Sequence, residues 1–149
     1  MCGGSVTDRA VAVAAWESLF RAQVAIMRTL AAEFPSHELS FNEYDVMFNL
    51  SRAPDRRLRL RDLNRHVLLT QPSVSRLVDR LAVRGYVQKN TDPTDGRGAL
   101  IELTDAGYDL FRQVALQHMG TITDRIGDRL NTEELRQLTA LCDRLRGEF

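Results

Sequence analysis

A mainly α-helical fold with one small β-wing is what this chain predicts, and three observations between Arg59 and Thr104 predict it. The first is spacing: Val74, Leu77, Val78 and Leu81 fall at i, i+3, i+4 and i+7, the apolar stripe of a short helix packed on a core. The second is the opposite face of that helix, where Arg76 and Asp79 are flanked by Ser73, Ser75 and Arg80. Short hydroxyls and forked donors on a helix entered through a turn are what reading the DNA major groove requires. The third is the run DPTDGRG, a turn-rich tip that carries Arg97 at the end of a hairpin. Together they describe a winged helix-turn-helix between N- and C-terminal helices, with double-stranded DNA as the leading partner.

Each element has its own local reason. A first helix over about residues 7–34 follows from the stripe Trp16, Leu19, Phe20, Gln23, Met27, Leu30, Ala31 and Phe34, broken only by Gln23, and Pro35 ends it because the residue before a proline avoids helical geometry. Ser40 with Glu43 three residues on is a capping box that opens a second helix, whose expected buried side is Phe41, Tyr44, Met47, Phe48 and Leu50. APDRR is a turn, and Leu58–Leu60 is short enough for an edge strand beside the wing. A brief third helix starts near Arg61. Thr70 is placed to cap the reading helix, with Pro72 in its first turn, where the missing amide costs nothing. Gly85 suits the left-handed position that stops it. Val87–Asn90 and Ala99–Leu103 are the wing strands. Thr104 opens a long fifth helix, which Gly120 and Gly127 weaken in its later half. Asn131 and Glu134 form a second capping box, leading a helix with the seam Leu135, Leu138, Leu141 or Cys142, and Leu145. The whole of 1–149 is expected to be one domain, with 40–103 the winged part.

The chain is formally neutral, with 20 basic and 20 acidic residues, so total charge says nothing about nucleic acid. Its distribution does. Between Arg52 and Gly98 there are eleven basic and five acidic residues, a local +6, leaving −6 for the rest. A basic middle within acidic flanks concentrates field on one surface, as phosphate binding exploits. No export signal is visible at MCGGSVTDRA, no apolar run approaches the roughly 20 residues of a bilayer span, and no membrane partner is expected. Two cysteines make no disulfide framework, which fits a reducing cytoplasm. No Gly-rich phosphate loop, nucleophile elbow, HExxH or CxxC is present, and no enzyme is expected.

The terminal helices carry more apolar surface than one winged domain covers, which points to a second copy of the chain. About residues 7–34 and 104–149 would then be dimerisation helices. Two-fold symmetry would set two reading helices about 34 Å apart, one turn of DNA.

The order of these parts resembles the MarR family of bacterial transcription regulators, most specifically at VSRLVDRLAVRGYV and DPTDGRGALIELTDAG. The resemblance implies a homodimeric repressor, less often an activator, on a palindromic operator. It implies DNA contacts from Ser75 and Arg76 in the major groove and from Arg97 in the wing, with Asp95 buttressing that arginine. Thr70, Gln71, Ser73, Arg80, Arg59 and Arg61 complete the expected DNA-binding set. The sequence departs from the family pattern at Thr94 and Gly96, where further basic residues are frequent, and at Arg59, where Ser or Thr usually caps the short helix. Asn64 replaces a frequent alanine at a close helix contact, so altered packing is expected there.

Many members of that family release DNA on sensing a small molecule, metal or oxidant. A small aromatic or apolar effector is the favoured expectation here, with Trp16, Phe20, Tyr44, Met47 and Phe48 as its pocket; residues of this kind at helical spacing are also ordinary core. Cys2 falls in a terminus expected to fray, and Cys142 falls on an apolar seam. A cysteine-based redox regulator is therefore an alternative, as is a winged interaction module without DNA binding. His37, His66 and His118 are scattered, and no metal or other cofactor is expected.

Overall fold

In the computed structural model the described residues are 6–67 and 69–147; Cys2 lies outside them. The described residues form two compact units, one within Pro35–Met119 and the other made of 6–34 and 120–147.

The first unit contains helix α2 (Phe41–Arg52), strand β1 (Arg57–Arg59), helices α3 (Leu60–His66) and α4 (Gln71–Val83), strands β2 (Val87–Thr91) and β3 (Ala99–Leu103), and most of helix α5 (Asp105–Ile122). The expected capping box closes: the Ser40 side chain accepts from the Glu43 amide and Glu43 accepts from the Ser40 amide, both at 3.1 Å. Tight backbone at Pro54–Arg56 turns the chain, with Asp55 and Arg56 both left-handed at φ 55° and 56°. The Arg56 guanidinium lies 3.8 Å from the centre of the Tyr108 ring, which holds this strained turn against α5. The edge strand begins one residue earlier than Leu58, because Leu60 already starts α3. Strand order is β1–β3–β2, antiparallel throughout, with Arg59 opposite Leu100 and Thr91 opposite Ala99.

Leu39, Val46, Met47, Leu50, Leu63, Val74, Val78, Leu81 and Ile101 are fully buried and form this unit's core. Each such side chain contributes about 1.5–3 kcal/mol by leaving water. Three details differ from the expected buried side of α2, the first being that Phe41 is only half-buried. Phe48 is exposed, at the rim of the aromatic group with its ring 6.4 Å from Phe111, and the smaller Val46 takes the enclosed place. Asn64, where altered packing is expected, buries its Oδ1 without a hydrogen-bond partner, a local cost to stability.

The second unit contains α1 (Val6–Ala32) and α6 (Thr132–Arg146), the latter after a wide π-helical turn at Thr123–Gly127. That turn lies in the stretch weakened by Gly120 and Gly127. Within it Arg125 makes a two-pronged ion pair with Glu33. Asn131 and Glu134 close the second capping box. Of the described side chains of α1 only Leu30 is buried, and none of α6 is. Within Asp8–Ala32 the most apolar 18-residue stretch has a mean hydropathy of 1.3, so the helix is long and apolar enough by length and composition to cross a bilayer, although no unbroken apolar run does so. Alanines and valines spread around the whole helix, interrupted by Glu17 and Arg21, produce this result.

His118 is 5% exposed, edge-on to the rings of Tyr44 and Phe41. Burial pushes its imidazole below the ordinary histidine range, so folding favours the neutral ring. The unfolded chain therefore binds this proton first as pH falls below about 6.5, and stability declines from there downward. Burial lifts the Asp45 carboxyl, which acts in the opposite sense at lower pH. A melting temperature that falls between about pH 7.5 and about pH 5.5 is expected, with a smaller fall in His118→Gln. Equal falls in both proteins, measured by calorimetry, would count against a buried neutral histidine.

Candidate nucleic-acid interface

Helix α4 is built to present its first turns. Thr70 caps it in extended geometry, accepting from the Ser73 amide at 3.4 Å and donating its own hydroxyl to Ser73 Oγ at 2.8 Å. Ser73 Oγ also accepts from the Arg76 guanidinium at 3.5 Å. A relay of two hydroxyls thus steers Arg76 toward the start of the helix. Thr70, Gln71, Arg76 and Arg80 are exposed, while Ser73 and Ser75 are half-buried at the margins of the same face. Asp79, the one acid on it, is held by Lys89 of strand β2 at 3.1 Å.

The wing tip is fixed by its own backbone. Asp92 N donates to Gly98 O at 3.0 Å and Gly98 N to Asp95 O at 2.9 Å, closing the loop. Arg97 is exposed at its end. Asp95 supports this arginine through the main chain, its Oδ1 accepting from the Arg97 amide at 3.1 Å.

At the base of the tip lies a cluster that spacing alone did not reveal. Asp92 is 3% exposed. Its Oδ2 meets Arg59 Nε at 2.8 Å, and its Oδ1 accepts from the Thr94 amide and hydroxyl at 2.9 and 2.8 Å. Arg59 closes the triangle by donating to Thr94 Oγ1 at 2.7 Å. The two Thr94 bonds, with Arg59 behind them, hold the Asp92 carboxyl below the usual range. Arg59 and Thr94, two of the positions that depart from the family pattern, therefore bond to each other. Between wing and α4 runs a groove of about 410 Å³, lined by Arg59, Arg61, Gln71, Lys89 and Arg97 with Asp92 and Asp95 beneath. Arg61, Arg80 and Arg97 make no salt bridge among the described residues.

The residues expected to hold an effector fall in both units. Tyr44 is buried and stacks on Phe111 at 5.2 Å, Met47 is enclosed in the core, and Phe48 is exposed on the same helix. Trp16 and Phe20 lie on α1 with ring centres 5.7 Å apart, 60% and 51% exposed. Cys142 is half-buried on α6.

A basic groove, an arginine presented at a helix start and a second arginine on a hairpin tip form a surface shaped for duplex DNA. Residues 37–98 match the sequence model of the MarR family. The chain is 30% identical over 130 residues to the transcriptional regulator PecS of Dickeya dadantii, covering 86% of this chain and 77% of that one. Among solved structures it is similar to a MarR family transcriptional regulator from Streptomyces coelicolor in complex with DNA, with a TM-score of 0.74 and 27% identity over 89% of this chain and 83% of that one. The PcaV transcriptional regulator of the same organism, in complex with its natural ligand, matches with a TM-score of 0.68 and 26% identity over 86% and 89%.

The Asp79–Lys89 pair is exposed, and such pairs contribute about 0–1 kcal/mol to stability. Its larger effect is on the surface field. Asp79→Asn is expected to leave the melting temperature nearly unchanged while tightening binding to unrelated duplexes. The salt dependence should steepen by about one phosphate contact as Lys89 is released. An unchanged salt slope in fluorescence anisotropy would show that Lys89 faces away from the backbone.

Proposed function

The chain belongs to the MarR family of transcriptional regulators, and from that premise we propose that it is a homodimeric repressor. It binds a palindromic operator through α4 and the wing and lets go when a small aromatic or apolar effector binds. It regulates transcription and is not an enzyme. Work on DNA puts its place of action in the cytoplasm. The observation that carries the reading is the Thr70–Ser73–Arg76 relay beside an exposed Arg97: one arginine aimed from a helix start, the other from a hairpin tip. Arginine in the first position recognises guanine edges; in the second it suits a narrow minor groove.

The dimer rests on the exposed faces of α1 and α6. Leu138, Leu141 and Leu145 are 43%, 54% and 57% exposed, and Val11 and Val13 are 63% and 50%. Helices this apolar need cover, and a second copy offers the same helices by symmetry. One relative is described in complex with DNA and another with its natural ligand, which supports both halves of the reading. For the effector, the exposed Trp16–Phe20 ring pair offers an aromatic surface.

A dimer of this kind should bind a palindrome of about 16–20 bp at roughly 10⁻⁸–10⁻¹⁰ M, with affinity falling steeply as salt rises. Equal weak binding to every duplex at low salt would overturn it. Arg76→Ala should cost about 1–3 kcal/mol and relax preference at particular base pairs, whereas Arg97→Ala should weaken binding chiefly on A·T-rich flanks.

Removing the residues after Leu130 takes away the α6 seam, and the dimer and its operator affinity should be lost together. A folded, truncated monomer with full affinity, seen by light scattering and anisotropy, would refute the assembly. Trp16 is the only tryptophan, so its emission, read against operator release, tests phenolic acids, urate and longer-chain lipids as effectors.

A further inference from the structure

Arg59 stands out among the basic residues of the winged unit because two of its five N–H donors join a strand edge to the wing tip, on a carboxylate that is itself buried. It is the last residue of β1, paired with Leu100 of the central strand, yet it reaches past that strand to the far end of β2. There Nε binds one Asp92 oxygen and a terminal nitrogen binds Thr94, while the other Asp92 oxygen takes both Thr94 donors. A carboxylate this enclosed depends on the cation beside it, since an uncompensated buried charge is strongly unfavourable. The same Asp92 supplies the amide that closes the tip onto Gly98 and the carbonyl that receives the Asp95 amide. Asp95 in turn fixes the Arg97 amide. A continuous chain of bonds therefore runs from Arg59 to the exposed arginine of the wing.

We infer that Arg59 is a positioning residue of the DNA interface. It sets the wing so that Arg97 reaches the minor groove, and it does not serve chiefly as a phosphate contact. The inference rests on the DNA-binding reading above for its effect on the operator, but the hold on the wing is a property of the free protein.

The two roles predict opposite signs for one substitution. Asp92→Asn makes the protein more positive and loosens Arg59. A phosphate-contact Arg59 would then bind operator as tightly as before or more tightly. A positioning Arg59 predicts weaker binding, by about tenfold for both Asp92→Asn and Arg59→Ala, with the double variant no worse than the poorer single. Chemical footprinting should show minor-groove protection by the wing lost and major-groove protection by α4 retained, which general unfolding would not produce. Thr94→Val, on the exposed tip, should give the same selective loss to a smaller degree even where Asp92→Asn folds poorly. In the free protein, hydrogen exchange at the Asp92 and Gly98 amides should accelerate in all three single variants. Unchanged exchange there, or undiminished affinity with intact wing protection in Asp92→Asn, overturns the inference. A parent protein without operator preference would instead sink the DNA-binding reading, and the exchange measurement would still decide whether Arg59 holds the wing.

Discussion

Where α4 ends, the returning wing strand ends and α5 begins, the three meet around one glycine, and the arrangement of the winged unit depends on how closely they approach. A Cβ on Gly107 would lie 2.1 Å from the Tyr86 carbonyl oxygen, so only glycine allows α5 to pass there. Thr104 ties the junction together. Its amide donates to Tyr86 O at 3.1 Å, its hydroxyl donates to Gly85 O at 2.7 Å, and the same oxygen accepts from the Gly107 amide at 3.0 Å. Gly85, at φ 81°, provides the left-handed step by which the chain leaves α4. Helix exit and wing base are thereby fixed to the same few atoms. The helix that carries Arg76 and the strands that lead to Arg97 therefore share one junction.

What the sequence made legible was local. The capping boxes at Ser40 and Asn131, the Thr70 cap and the turn at Gly85 each depend on residues within four positions, where short side chains and backbone amides leave few choices. The burial of α4 followed from spacing alone. Long-range side-chain pairs were not legible. Nothing in the spacing of Arg59 and Asp92, or of Arg56 and Tyr108, indicates that they meet, because the first pair is joined by how two strand ends lie across the sheet and the second by how a turn meets a helix. Phe48 shows the limit of periodicity itself. It lies on the predicted arc, but the arc ends within its width, and a valine is the residue that fits inside. The residues expected to face DNA follow from chemistry and resemblance, and the structure shows which of them are already engaged.

That distinction reinterprets the local charge. Of the basic residues between Arg52 and Gly98, six hold acids: Arg56 with Asp105, Arg57 with Asp55, Arg59 with Asp92, Arg65 with Asp62, Arg84 with Glu43 and Lys89 with Asp79. Arg52 lies over the Phe48 ring. The remaining arginines, Arg61, Arg76, Arg80 and Arg97, make no salt bridge among the described residues and belong to α4, the wing or the groove between them. The excess is thus neither diffuse nor accidental in position. Most positive charge maintains the scaffold, and the part left over faces outward where a polyanion would lie.

One pair has a chemical corollary. Lys89 is the only lysine in the chain; every other side-chain cation of fixed charge is a guanidinium. Amine acylation, which can discharge the whole face of a lysine-rich protein, finds a single side-chain target here, and guanidinium groups do not share that reactivity. The target is also the cation that covers Asp79. Capping that amine would remove one positive charge and leave the Asp79 carboxylate on α4 uncompensated. With no other lysine, side-chain amine chemistry is concentrated at one atom, where a single covalent event shifts the local balance by one charge.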